Sequence, residues 1–160
     1  MPPHARMTAA VVLVSAWLGA ALVTVMVVTP GAFAVLPSRT LAGAMVGRVL
    51  PLVFASGLAL AACVALLLGL RRATSGAQAG AGATVLLAGA ACAVAQFGIN
   101  PRIAHLRADI GGPVERLALD DPRRVAFGLL HGYSVAGLGV AMLAATLCLA
   151  FLLVAMQPRT

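Results

Sequence analysis

Residues 49–99 read VLPLVFASGLALAACVALLLGL, then RRATSG, then AQAGAGATVLLAGAACAVAQFGI. Two uncharged apolar runs, Val49–Leu70 and Ala77–Ile99, stand on either side of a short polar connection. A helix needs about 20 apolar residues to cross a hydrocarbon core of about 30 Å. In lipid the backbone polar groups must pair internally, so each run is expected to be a spanning helix. The connection is too short for anything but an antiparallel hairpin. Working outward, the same reading holds for Thr8–Thr29 before the hairpin and Val125–Met156 after it. The expected fold is all-α: a polytopic membrane protein with a four-helix transmembrane bundle in a single domain, 1–160.

Composition agrees. The chain is 62% hydrophobic and 9% charged, with a mean hydropathy of +1.05. A soluble chain of this length carries a far larger charged share. The +7 net charge comes from arginine alone, since lysine is absent. These arginines cluster at the ends of the runs, where such residues anchor helices and set topology. No basic run is interleaved with aromatics, which excludes a nucleic-acid partner as the working hypothesis. The expected surroundings are the lipid bilayer, with a membrane-protein partner or a homo-oligomer as further possibilities, in the cell (inner) membrane. The first run follows Arg6 as a signal peptide would. It is longer than the about 7–15 apolar residues of a signal-peptide core, so a retained span is expected.

Prolines and glycines punctuate the runs. Thr29-Pro30-Gly31 is expected to end the first span, leaving Ala32–Arg48 as a loop or short interfacial helix. Asn100-Pro101 is expected to end the third. Beyond it, Ile103, Leu106 and Ile110 recur at helical spacing beside Arg102 and Arg107, which predicts a short interfacial helix before Gly111-Gly112-Pro113. Asp121 and Pro122 form a helix start: a capping carboxylate followed by proline in the first turn. Gly43/Gly47, Gly76/Gly80 and Gly128/Gly132 have the small-xxx-small spacing that lets membrane helices approach closely or dimerise.

With four spans the termini share one side, and the two longer connections share the other. That loop-bearing side collects Arg39, Arg48, Asn100, Arg102, Arg107, all four acids and His131. Its arginines outnumber those of the terminal side, which favours a cytoplasmic location. His131 and Ser134 share a face of the fourth span. His131 has two readings: a headgroup-level residue bonding a backbone carbonyl, or a functional group facing the bundle and bonded to span one or three. Gln96 and Asn100 lie one helical turn apart at the same level. The candidate binding cluster is therefore His131, Ser134, Asn100, Gln96, Arg102 and Arg48.

Other chemistry is poorly supplied. The three cysteines, Cys63, Cys92 and Cys148, have no CxxC spacing and read as small buried hydrophobes. A bis-histidine haem needs two histidines in facing spans, and the methionines do not cluster as a copper site would. No metal and no cofactor is expected. No acid lies within a span to orient His131 or Ser134, so catalytic residues are expected to be none.

Several segments carry a likeness. They are Trp17-Leu18-Gly19, Thr29-Pro30-Gly31-Ala32-Phe33, Ala42-Gly43, Gly47-Arg48-Val49-Leu50-Pro51, Asn100-Pro101-Arg102 and Phe127-Gly128-Leu129-Leu130-His131-Gly132-Tyr133-Ser134. In that order the chain resembles the transmembrane protein 205-like family, four-span membrane proteins with a domain of unknown function. Members commonly have Asn seven residues after this His, where this chain has Leu138. The resemblance implies an integral membrane protein with no assigned reaction and no cofactor. The functional expectation is a non-enzymatic accessory or interaction protein; the alternative is a small transport or permeation module, possibly oligomeric. The lack of a charged residue at mid-span argues against ion coupling.

Overall fold

The computed structural model describes residues 2–69 and 75–157. Four long helices make up the chain: α1 (His4–Val35), α2 (Arg39–Leu68), α3 (Gly76–Ile110) and α4 (Pro122–Met156), each long and apolar enough to cross a membrane. Each packs on its sequence neighbour, and α1 closes the ring against α4. The result is an up-down-up-down bundle with the chain start and the end of α4 on one side. The connection after α2 includes Arg71 and Arg72, which lie outside the described residues.

The interior is built from small side chains. Ala10, Ala21, Ala61, Ala81, Ala88, Ala95, Ala141, Ala144 and Ala145 are buried, whereas Leu22, Met26, Leu52, Leu66, Leu86, Phe97, Leu143 and Leu153 face outward. A water-soluble bundle would do the reverse. Lipid tails are as apolar as leucine, so membrane helices gain by close backbone approach instead. Gly89 lets α3 meet α2: a Cβ there would lie 2.8 Å from the Ala61 methyl. Gly57 makes room for the Trp17 ring and the Cys92 sulfur, at 2.8 Å and 2.7 Å from its would-be Cβ. Trp17 is buried, and its indole N–H donates to the Val53 carbonyl at 3.1 Å.

Two helix ends differ from the sequence expectation, for one physical reason. Pro30 and Pro101 do not end their helices. Each is preceded by a π-helical segment, Thr24–Val28 in α1 and Val94–Ile99 in α3. Proline lacks an N–H, and its ring would collide with the carbonyl four residues back in an α-helix. A π turn carries one extra residue and moves that carbonyl aside. The N–H before each proline reaches back five residues instead, from Thr29 to Thr24 O and from Asn100 to Ala95 O. The Thr29 hydroxyl also donates to Thr24 O, at 2.9 Å. So α1 runs on to Val35, and only Leu36, Pro37 and Ser38 separate it from α2. Ala32–Arg48 is largely helix rather than loop. Likewise Asn100–Ile110 is the continuation of α3, not a separate interfacial helix.

The remaining ends follow local rules. The Ser38 hydroxyl caps α2 through Leu41 N, and the Ser75 hydroxyl caps α3 through Gln78 N, both at 3.2 Å. Asp121 caps α4 through Arg123 N at 2.8 Å, with Pro122 in the first turn. Gly111 ends α3 at φ 64°, a left-handed conformation that glycine adopts without steric cost. The 111–121 connection, which carries one 3-10 turn at Val114–Arg116, is tied down by Arg124 donating to the Leu117 carbonyl at 2.7 Å.

Candidate functional site

A cavity of about 720 Å³ opens at the loop-bearing end of the bundle. All four helices and the 111–121 connection contribute to it. From α1 come Thr29 and Phe33; from α2, Arg39, Gly43, Gly47 and Leu50; from α3, Gln96, Asn100, Ile103 and Arg107. Glu115 comes from the connection, and Phe127, His131 and Ser134 from α4. The walls are mostly apolar, with a few convergent polar groups, as in small-molecule sites.

Helical periodicity explains the lining. Gln96, Asn100, Ile103 and Arg107 recur at one-turn intervals along α3, so they share a face once the helix passes Pro101. Phe127, His131 and Ser134 do the same on α4. That face runs from mouth to floor: His131 is exposed at the mouth, Ser134 is 2% exposed one turn deeper, and Leu138 beyond it belongs to the core. Both π segments lie at this level, since Thr29 and Asn100 directly follow them and Gln96 lies within one.

Arg107 is the best-positioned charge. Its Nη2 donates to the Gly43 carbonyl at 3.3 Å. Its Cζ stands 5.3 Å from the Phe127 ring centroid, a cation–π arrangement. Gly43 and Gly47 form its seat: a Cβ on Gly47 would lie 2.8 Å from Nη1. The Gly43/Gly47 pair, read from spacing as a helix–helix face, therefore accommodates a guanidinium. Gly128 and Gly132 meet nothing within 4 Å, and of the third pair only Gly80 is in close contact, with Phe151.

The imidazole of His131 lies parallel to Phe127, with ring centroids 6.4 Å apart. Of its two readings, the exposed position fits the headgroup level, while neither expected bond is formed among the described residues: it bonds no backbone carbonyl and no group of α1 or α3. Its position at the mouth leaves it in contact with the aromatic ring one turn earlier on its own helix. Gln96 and Asn100 bond each other, Asn100 Nδ2 donating to Gln96 Oε1 at 3.2 Å.

Of the six residues proposed from sequence, the cavity brings together His131, Ser134, Asn100 and Gln96. Arg48 and Arg102 are exposed and do not line it. Arg107 and Arg39 take the places expected for them. Arg107 was hidden by the assumption that Pro101 breaks the helix; its spacing from Gln96 and Asn100 is the signal that finds it. Among the described residues there is no cluster of three or more His, Cys, Asp or Glu side chains placed to hold a metal ion.

The fold and cavity define a four-span membrane protein with a chamber at one end of an all-α bundle. Residues 12–111, more than half of the chain, match the family described as a domain of unknown function, DUF4149, and the chain belongs to that family. The match runs from α1 to the end of α3. It includes the Arg107 seat and stops short of Phe127, His131 and Ser134. No curated protein and no solved structure matches the chain.

Proposed function

We propose that this protein is a non-enzymatic accessory membrane protein that holds a ligand in the loop-end chamber and interacts laterally with lipid or other membrane proteins. The observation that carries the reading is the chamber itself: apolar walls, a seated guanidinium, and a polar face on α3 and α4. His131, Ser134 and Glu115 all line the chamber, but among the described residues no hydrogen bond joins them and Glu115 accepts from Thr40 instead, which favours holding over reacting. The likeness to the transmembrane protein 205-like family, carried by the Asn100-Pro101 and His131–Ser134 segments, and a cell (inner) membrane location belong to the same proposal.

The permeation alternative has one observation in its favour, the paired π segments at chamber level, since helix irregularities often mark functional regions. Against it, the chamber floor gives way to packed core around Leu138. Native mass spectrometry of the protein released from lipid nanodiscs tests the main reading. A retained small molecule or lipid of defined mass, lost on His131→Phe and Ser134→Leu together, is expected. Wild-type protein that flies without any retained species would count against it.

A further inference from the structure

We propose that the chamber holds the phosphate end of one anionic phospholipid from the surrounding bilayer, with the Arg107 guanidinium as its anchor. The proposal rests on the ligand-holding reading above and names the occupant. A guanidinium offers five N–H donors in a planar fork suited to phosphate oxygens. Among the described residues Arg107 forms one hydrogen bond to protein, to the Gly43 carbonyl. It has no acidic partner among the described residues. It is nonetheless held in place, by the glycine seat on α2 and the Phe127 face on α4. A seated cation with unused donors at a cavity wall is prepared for an anion.

Charge and depth narrow the anion. Arg39 adds a second cation at the lining, and Glu115 is turned to the Thr40 hydroxyl, 3.4 Å away. The chamber lies where the apolar runs of α1 and α3 end and that of α4 begins. That is the level of lipid phosphates, just outside a hydrocarbon core of about 30 Å. Phe33, Val46, Leu50 and Ile103 give the chamber apolar walls. Free inorganic phosphate would satisfy the guanidinium and leave those walls wet. The glycerol and first acyl carbons of a phospholipid would cover them, without the lipid leaving the bilayer.

The test uses the full chain in nanodiscs containing equal phosphatidylglycerol and phosphatidylcholine. Native mass spectra are expected to retain one phosphatidylglycerol per chain in preference to phosphatidylcholine. Arg107→Gln should reduce that preference about tenfold or more, the scale of a lost charge-assisted hydrogen bond. Gly47→Ala keeps the charge and displaces the guanidinium from its seat, so it should lower the preference as well. Arg102→Gln removes an exposed arginine outside the chamber and should leave it intact. Melting in phosphatidylcholine alone reports whether each variant folds. Equal losses for Arg102→Gln and Arg107→Gln would reduce the effect to peripheral charge and overturn the proposal. Displacement of bound lipid by inorganic phosphate at millimolar concentration would overturn it in favour of a free-anion site. A retained molecule that is not a phospholipid would sink the lipid assignment and leave the ligand-holding reading standing. An empty chamber in every lipid mixture would sink both.

Discussion

Trp17 sits deep in α1, far from the membrane edges where tryptophan usually anchors a helix. That depth alone argues for a packed ring, and the ring is buried with its N–H on the Val53 carbonyl of α2. Trp17→Phe keeps most of the apolar contact and removes the donor. It should cost about 0.5–1.5 kcal/mol, the modest value of hydrogen bonds within membrane proteins. Gly57→Ala presses a methyl against the same ring and should cost about 1–3 kcal/mol by overpacking. Detergent melting of both variants checks the order; a Gly57→Ala protein as stable as wild type would show that the ring has room to shift. The role of Trp17 was legible from its place in the run. The role of Gly57 was not, because a glycine's importance depends on what faces it, and Trp17 and Cys92 come from other helices. His131 is intermediate: its shared face with Ser134 was readable, whereas its stacking on Phe127 in place of a cross-helix bond required coordinates.

At the scale of the element, the four helices were legible because each apolar run exceeds the spanning length. Their ends at Pro30 and Pro101 were not, since a π turn leaves no signal beyond the proline it accommodates. The bulge in α3 makes a direct prediction. Deleting Gly98, which has open space around it, should turn Val94–Ile99 into α-helix with the downstream register kept. Pro101 would then clash with a carbonyl one turn back, at a cost on the order of 3 kcal/mol. Adding Pro101→Ala to the deletion should recover most of the lost melting temperature. If the deletion alone melts like wild type, the π turn does not exist to accommodate proline. The start of α4 makes a second prediction. The Asp121 carboxylate accepts from the Arg123 side chain, with its Nη2 at 2.8 Å, and from the Arg123 backbone N–H, and these bonds hold its pKa below the ordinary carboxylate value. The folded pKa is thus lower than the unfolded one. The capping contribution is complete above the ordinary carboxylate range and is lost as pH falls through the lowered folded value. Protection factors for the first-turn amides of α4 should fall on acidification below about pH 4, and Asp121→Asn should flatten that dependence. An equal acid response in both proteins would remove Asp121 from the account.

For the whole molecule, the arrangement of sizes carries the topology: alanine dominates the interior, most leucines face outward, and the described arginines, acids and histidines lie toward the two ends. Helices of 30 to 35 residues extend about 45–52 Å at 1.5 Å per residue, well beyond the hydrocarbon core. The excess at the loop-bearing end builds the chamber from α1, α2, α3 and α4 together. An even number of crossings puts residue 6 and residue 75 on one face of the membrane, and residue 115 on the other. In a background with Cys63, Cys92 and Cys148 replaced by Ala, single Arg6→Cys and Ser75→Cys variants should react with an impermeant maleimide from the same side. Glu115→Cys should react only from the opposite side, and an anionic phospholipid in the chamber should slow its labelling relative to Arg102→Cys. Labelling of Ser75→Cys and Glu115→Cys from a common side would require an even number of crossings between α2 and α4, where the bundle has the single crossing of α3. It would remove the loop-end chamber together with the four-span bundle that forms it.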